Sequence, residues 1–133
     1  MTEAPQKTFH VGTIISADLT ISDAENIRDF YQQVIGWGVE EMALNDETGP
    51  YADYVMKDDK GNWVGGVCHK RGANKDLPPQ WIVYVNVKDI AKSVEKCLEL
   101  GGKVLKESKN DDGSYQYALI EDPAGAILAI TKV

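Results

Sequence analysis

Asp18 stands inside the apolar, β-branched run Ile14-Ile15-Ser16-Ala17-Asp18-Leu19-Thr20-Ile21, where strand backbone disfavours a carboxylate. Facing a ligand, such a group accepts hydrogen bonds from hydroxyls, pairs with a cation or takes a proton as a general base. At an exposed strand end it would simply meet water. The two histidines are His10 and His69. Cys68 and His69 are adjacent, so on a strand they point to opposite faces, which argues against joint ligation of a metal. Cys68 and Cys97 lie in apolar runs, where a reduced thiol behaves as a small hydrophobe. They form neither a disulfide framework nor a zinc motif. There is no Gly-rich phosphate loop, no Gly-x-Ser-x-Gly elbow and no nucleophile motif around either cysteine. No motif names a catalytic residue.

These residues belong to a chain of 133 residues, one ordinary domain in size, with 43% hydrophobic and 26% charged residues. The net charge is −7 and the longest basic run is His69-Lys70-Arg71, so the positive face that nucleic acid requires is missing. No apolar stretch approaches the roughly 20 residues of a membrane-spanning helix. MTEAPQKTFH lacks the apolar core of a signal peptide, and the expected compartment is the cytoplasm.

The spacing predicts a strand over His10 to Ile21, then a helix opened by a capping box at Ser22-Asp23-Ala24-Glu25. Ile27, Phe30, Tyr31, Val34 and Ile35 give that helix one apolar face, and Gly36 and Gly38 end it. Strands follow at Val39 to Leu44, Tyr51 to Lys57 and Asn62 to His69. Residues 70 to 80 read as a linker, with Gly72, Asn74, Pro78 and Pro79. The order then repeats: a strand over Trp81 to Val87, a helix capped by Asp89 with the stripe Ile90, Val94, Cys97 and Leu98, and strands at Lys103 to Glu107, Tyr115 to Ile120 and Ala126 to Thr131. Asp23 and Asp89 are 66 residues apart, and Gly61 and Gly125 are 64 apart. One strand–helix–three-strand unit is therefore written twice. A four-stranded sheet with one helix leaves a face bare, and two such modules side by side can enclose a shared cleft, the default ligand site.

Asp18-Leu19-Thr20 through Phe30-Tyr31 to Gly36-Trp37 resembles the first module of the glyoxalase/bleomycin-resistance/dioxygenase (vicinal oxygen chelate) superfamily. Leu100-Gly101-Gly102-Lys103-Val104 and Asp122-Pro123-Ala124-Gly125-Ala126 resemble its second. The resemblance spans residues 9 to 133. It implies an α+β fold of two tandem βαβββ modules forming a concave mixed β-sheet around the cleft, with helices outside. Residues 1–133 then form a single domain: module one about 9–69, linker 70–80, module two about 81–133. It also implies a divalent metal held by His, Glu or Gln on the first and last strands of each module. Counted from the helix-starting aspartates and from Gly61 and Gly125, those positions are Ser16, Ile82, Gly65 and Ala129. None carries an imidazole or carboxylate, so neither metal nor cofactor is expected.

Strand alternation then assigns the cleft. Ala17, Leu19 and Ile21 should face the first helix, leaving Ser16, Asp18 and Thr20 inward. Val83, Val85 and Val87 should meet the second, leaving Ile82, Tyr84 and Asn86 inward. Trp63, Gly65, Val67 and His69 should also point inward, as should Ile127, Ala129 and Thr131. Gly65-Gly66 marks either room for a ligand or a bulge, and Trp63 either stacks on a ligand or fills the floor or a subunit interface. The expected function is small-molecule binding without a metal, as in the family's drug-sequestering members. A metal-independent enzyme using Asp18 or a cleft tyrosine is the second reading. A metal-dependent lyase or dioxygenase with ligands at another register is the third. A homodimer is expected by analogy.

Overall fold

The computed structural model describes residues 9–133. Eight strands and two helices alternate as expected: β1 (Ile14–Ile21), α1 (Ala24–Ile35), β2 (Gly38–Asp46), β3 (Gly49–Lys57), β4 (Trp63–His69), β5 (Trp81–Asn86), α2 (Ile90–Glu99), β6 (Lys103–Lys109), β7 (Tyr115–Glu121) and β8 (Ile127–Thr131). The fold is α+β. No described helix is long and apolar enough to cross a membrane. The linker holds an unforeseen turn of 3-10 helix at Gly72–Asn74.

The residues group into two compact units. The first holds Ala17–Trp81, and the second holds residues 9–16 with Ile82–Val133. Within the first the strand order is β2-β3-β4-β1, with β1 parallel to β4 and the other pairs antiparallel. Within the second it is β5-β8-β7-β6, with β5 parallel to β8. In each, the helix after the first strand returns the chain so that the last strand lies parallel beside the first.

Each helix covers one face of its own sheet. In the first unit Ala24, Tyr54, Met56 and Val67 are buried, with Ile27, Tyr31, Trp37 and Trp81 packed on them. Met56 and Val67 are sealed completely, each contributing about 2 kcal/mol by transfer from water. Trp81 Nε1 donates to the Tyr31 hydroxyl at 3.1 Å, so the indole enters this cluster with its polar edge satisfied. In the second unit Ile90, Val94, Ala118 and Ile130 form the core, with Val87, Val104, Ile120 and Leu128 around them.

Local chemistry departs from expectation at three places. Asp89 caps α2 through its side chain, which accepts from the Lys92 amide at 3.1 Å. Asp23 makes no such bond on α1; its carboxylate accepts from the Asn26 side chain at 3.0 and 3.2 Å instead, and the expected capping box does not form there. The apolar stripe of α1 is only partly used: Ala24, Ile27 and Tyr31 pack inward, while Phe30 and Val34 are more than half exposed. β1 begins at Ile14 rather than His10, because residues 9–13 are engaged by Asn86.

Candidate functional site

The face of the first sheet turned away from α1 carries Asp18. In the β1–β4 pair Ala17 stands opposite Gly65, Asp18 opposite Gly66 and Thr20 opposite Cys68. A Cβ on Gly66 would lie 2.8 Å from Asp18 Oδ1 and 3.6 Å from Cys68 Sγ. The Asp18 carboxylate therefore overlies bare backbone, with the thiol beside it. Burial, then the charges of Asp18 and Asp53, push the Cys68 thiol well above its ordinary range, and the thiol donates to Asp53. Such a thiol stays protonated and is no nucleophile at neutral pH. Asp53 also accepts from the His69 amide at 2.8 Å. The His69 ring approaches it (Nδ1 to Oδ1, 3.4 Å), but Nδ1 is buried without a hydrogen bond.

The alternation read along β4 needs correction. Val67 is sealed against Ala24, Tyr54 and Met56, and a Cβ on Gly65 would run into the Ala17 carbonyl and the Trp81 ring. Gly65 and Val67 thus face α1, and the neighbours of Asp18 are Gly66 and Cys68. The cause is a bulge: Met56 pairs with Gly65 and Lys57 with Trp63, leaving Val64 extra, and Val64 joins the helix-side core. One added residue flips every later side chain. Trp63, before the bulge, remains on the open face and is 45% exposed.

In the second unit the expected alternation describes the placement. Tyr84 pairs with Ala129 and Asn86 with Thr131, away from Ile130 and α2. Ile82 and Ala129 are buried. Asn86 is not poised for a ligand, however. Its Nδ2 donates to the carbonyls of Phe9 and His10 at 3.0 and 3.2 Å, and its Oδ1 accepts from the Val133 amide at 3.0 Å. Its backbone exchanges bonds with Gly12 and Thr13. Asn86 is a structural fastening. Ser16 is half-buried and groups with the second unit, Asp18 with the first.

Sequence reasoning stopped at four strands and missed what the others add. Asp53 on β3 stands across from Cys68. Tyr117 on β7 meets Tyr84 with ring centroids 6.0 Å apart, and Lys106 on β6 places its ammonium 5.6 Å from the Tyr117 ring. Extending the alternation through β3 and β7 would have found the aspartate and the tyrosine. A divalent metal does not fit the positions that the resemblance marks. Ile82 and Ala129 are apolar, neither Gly65 nor Gly66 has a side chain, and Ser16 offers one hydroxyl. Among the described residues no group of three His, Cys, Asp or Glu side chains could hold a metal ion.

A strand–helix–three-strand unit used twice, with its first and last strands parallel neighbours, defines the vicinal oxygen chelate class of architecture. The chain belongs to the glyoxalase-like domain family, whose model matches residues 15–131. Two curated proteins named "Putative glyoxylase CFP32", from Mycobacterium bovis and Mycobacterium tuberculosis, are 26% identical to it over 121 residues, covering 91% of this chain and 44% of theirs. The chain thus spans under half the length of these relatives. A superfamily member from Vibrio splendidus matches the structure with TM-score 0.57 at 14% identity, covering 89% of this chain and 97% of that one. A Streptomyces coelicolor methylmalonyl-CoA epimerase in complex with 2-nitronate-propionyl-CoA matches at TM-score 0.55 and 13% identity, covering 92% and 98%. The Mycobacterium tuberculosis methylmalonyl-CoA epimerase matches at TM-score 0.55 and 12% identity, covering 96% and 92%. At these identities the likeness is one of fold.

Proposed function

We propose that this glyoxalase-like domain binds a small molecule without a metal ion, and that Asp18 recognises a hydroxyl donor or cationic group on it. The observation that carries this reading is the Asp18 carboxylate over Gly66, with Asp53 on the same face across the Cys68 thiol. Two carboxylates around a neutral thiol make a locally negative surface, which favours cations and rejects anions. A half-buried carboxylate has lost part of its hydration, and a donor or cation on the ligand adds to the solvation it keeps. Trp63, on the same face, offers stacking area.

A second reading is a metal-independent enzyme in which Asp18 moves a proton. A carboxylate on an open strand face, within reach of a bound molecule, is the feature that favours it. Two epimerase structures that share the fold are complexes with CoA esters, and product analysis on such esters separates catalyst from binder. We also propose a homodimer, in which a second copy would cover exposed sheet edges. A monomer in sedimentation at roughly tens of micromolar would remove that proposal.

The test of the main reading is a thermal-shift ligand screen followed by titration of Asp18→Asn. The substitution is expected to weaken a cationic ligand by about 1–3 kcal/mol while leaving the melting temperature of the free protein nearly unchanged. Unchanged affinity for every ligand found, or one equivalent of zinc, nickel or iron retained through dialysis, overturns it.

A further inference from the structure

The second sheet places an ammonium and two phenols in a line on its open face, and a bulge is what puts the ammonium there. Val104 pairs with Ile120, and both belong to the helix-side core. Lys106, two residues on, would face α2 in a regular strand. Instead it pairs with Leu119, because Leu105 is extra. Leu119 in turn pairs with Ala129, and Ala129 with Tyr84, so Lys106, Leu119, Ala129 and Tyr84 form one row on the open face. Bulges occur at sheet edges, where β6 lies, and beside binding sites, and they re-aim the side chains that follow.

Tyr117 pairs with Ser108 and Thr131 in the adjoining row. It reaches Tyr84 across the intervening β8, ring centroids 6.0 Å apart and planes at 67°. The rings can meet there because residue 129 presents only a methyl group, which is fully buried. Lys106 Nζ stands 5.6 Å from the Tyr117 centroid at the far end.

We infer that Lys106, Tyr117 and Tyr84 form a binding site for planar conjugated carboxylates, whose π system lies on the phenols while the carboxylate meets Lys106. Edge-to-face phenols present a π surface and a polar edge to a flat guest, and the ammonium sits one ring-width away to pair with its charge. The overall charge of −7 opposes an anion only weakly. Salt screens it beyond about 8 Å, whereas the Lys106 pairing acts at contact. This site is distinct in charge and in residues from the Asp18 surface.

The experiment is titration of the intact protein with benzoate, followed by NMR of the tyrosine rings. Benzoate is expected to shift the Tyr84 and Tyr117 resonances saturably with a Kd of roughly a millimolar, fitting for so small a ligand. Benzamide, flat but uncharged, should bind about tenfold more weakly, as should benzoate to Lys106→Met, one charge-assisted contact being lost. Lys106→Arg should restore binding. Tyr117→Leu risks unroofing Ala129, so the lysine variants carry the decision. Equal affinity in wild type and Lys106→Met, equal affinity for benzamide, or no saturation overturns the site. A cationic ligand that still responds to Asp18→Asn would show that only this inference had failed.

Discussion

The Asp18 carboxylate lies where the side chain of residue 66 would be: a Cβ on Gly66 would stand 2.8 Å from Asp18 Oδ1. The two positions are one choice, since the aspartate occupies the volume that the glycine vacates. Gly66→Ala should cost about 1–3 kcal/mol as an overpacking change, and Asp18→Ala in the same chain should recover part of it. Gly65→Ala should cost more and find no such rescue, because its Cβ meets the Ala17 backbone carbonyl rather than a mobile side chain. Urea unfolding of the four variants checks this; additive costs for Gly66→Ala and Asp18→Ala would contradict the packing.

Asn86 fastens residues 9–13 and Val133 through both ends of one amide. Asn86→Ala is expected to cost about 2 kcal/mol, the range for removing a buried group and leaving its partners unpaired. Hydrogen exchange at the Gly12 and Val133 amides should quicken selectively. Exchange unchanged at both would mean that the ends are held elsewhere.

The Arg71 guanidinium grips Asp46 with two nitrogens at 2.8 Å, also bonds Thr48, and stacks 4.1 Å above the Tyr51 ring. Hydrogen bonds from Arg71 and then Thr48 hold the Asp46 carboxyl down to about 2, from an ordinary 3.8. A depressed acid stabilises the folded chain above its unfolded value and loses that contribution as pH falls through the folded one. The stability difference between wild type and Asp46→Asn should be steady above about pH 5 and shrink between 3.8 and 2. A difference that stays flat to pH 2 would exclude the pairing.

Cys68 should be the sluggish thiol. With burial and two carboxylates against the thiolate, a disulfide reagent at about pH 8 should modify Cys97 first and Cys68 at least tenfold more slowly. Asp53→Asn should quicken Cys68, since it removes one opposing charge. Equal rates for the two cysteines in the wild type would be the contrary result.

Strand alternation and helix caps make most of the fold legible in the sequence, because period-2 and period-3.6 patterns arise from backbone geometry. Asp89 and Gly36 end their helices as their types dictate. The site was less legible, and two single residues explain much of that. Val64 and Leu105 are each one too many in their strands. Neither is marked by composition, yet each reverses the face of the residues after it, moving Gly65 away from Asp18 and Lys106 onto the tyrosines. Asn86 was misjudged for another reason: an amide inside a strand looks the same on paper whether it awaits a ligand or holds its own chain. The exposed Phe30 and Val34 show that an apolar stripe states capacity, and the packing of the helix on its sheet decides use.

The fastening at Asn86 has a consequence for how the chain can be rewired. The carbonyls of Phe9 and His10 and the amide of Val133 sit on opposite atoms of one side chain, so the two ends of the described chain are neighbours. A short glycine-serine bridge from Val133 to Phe9 would close with little loop entropy. New ends could then open within the first unit, at the exposed turn Asp59–Gly61, far along the chain from either fastening. In such a permutant residues 9–16 would be translated immediately after β8 and held within the same unit, making continuous in sequence a body that the natural order divides.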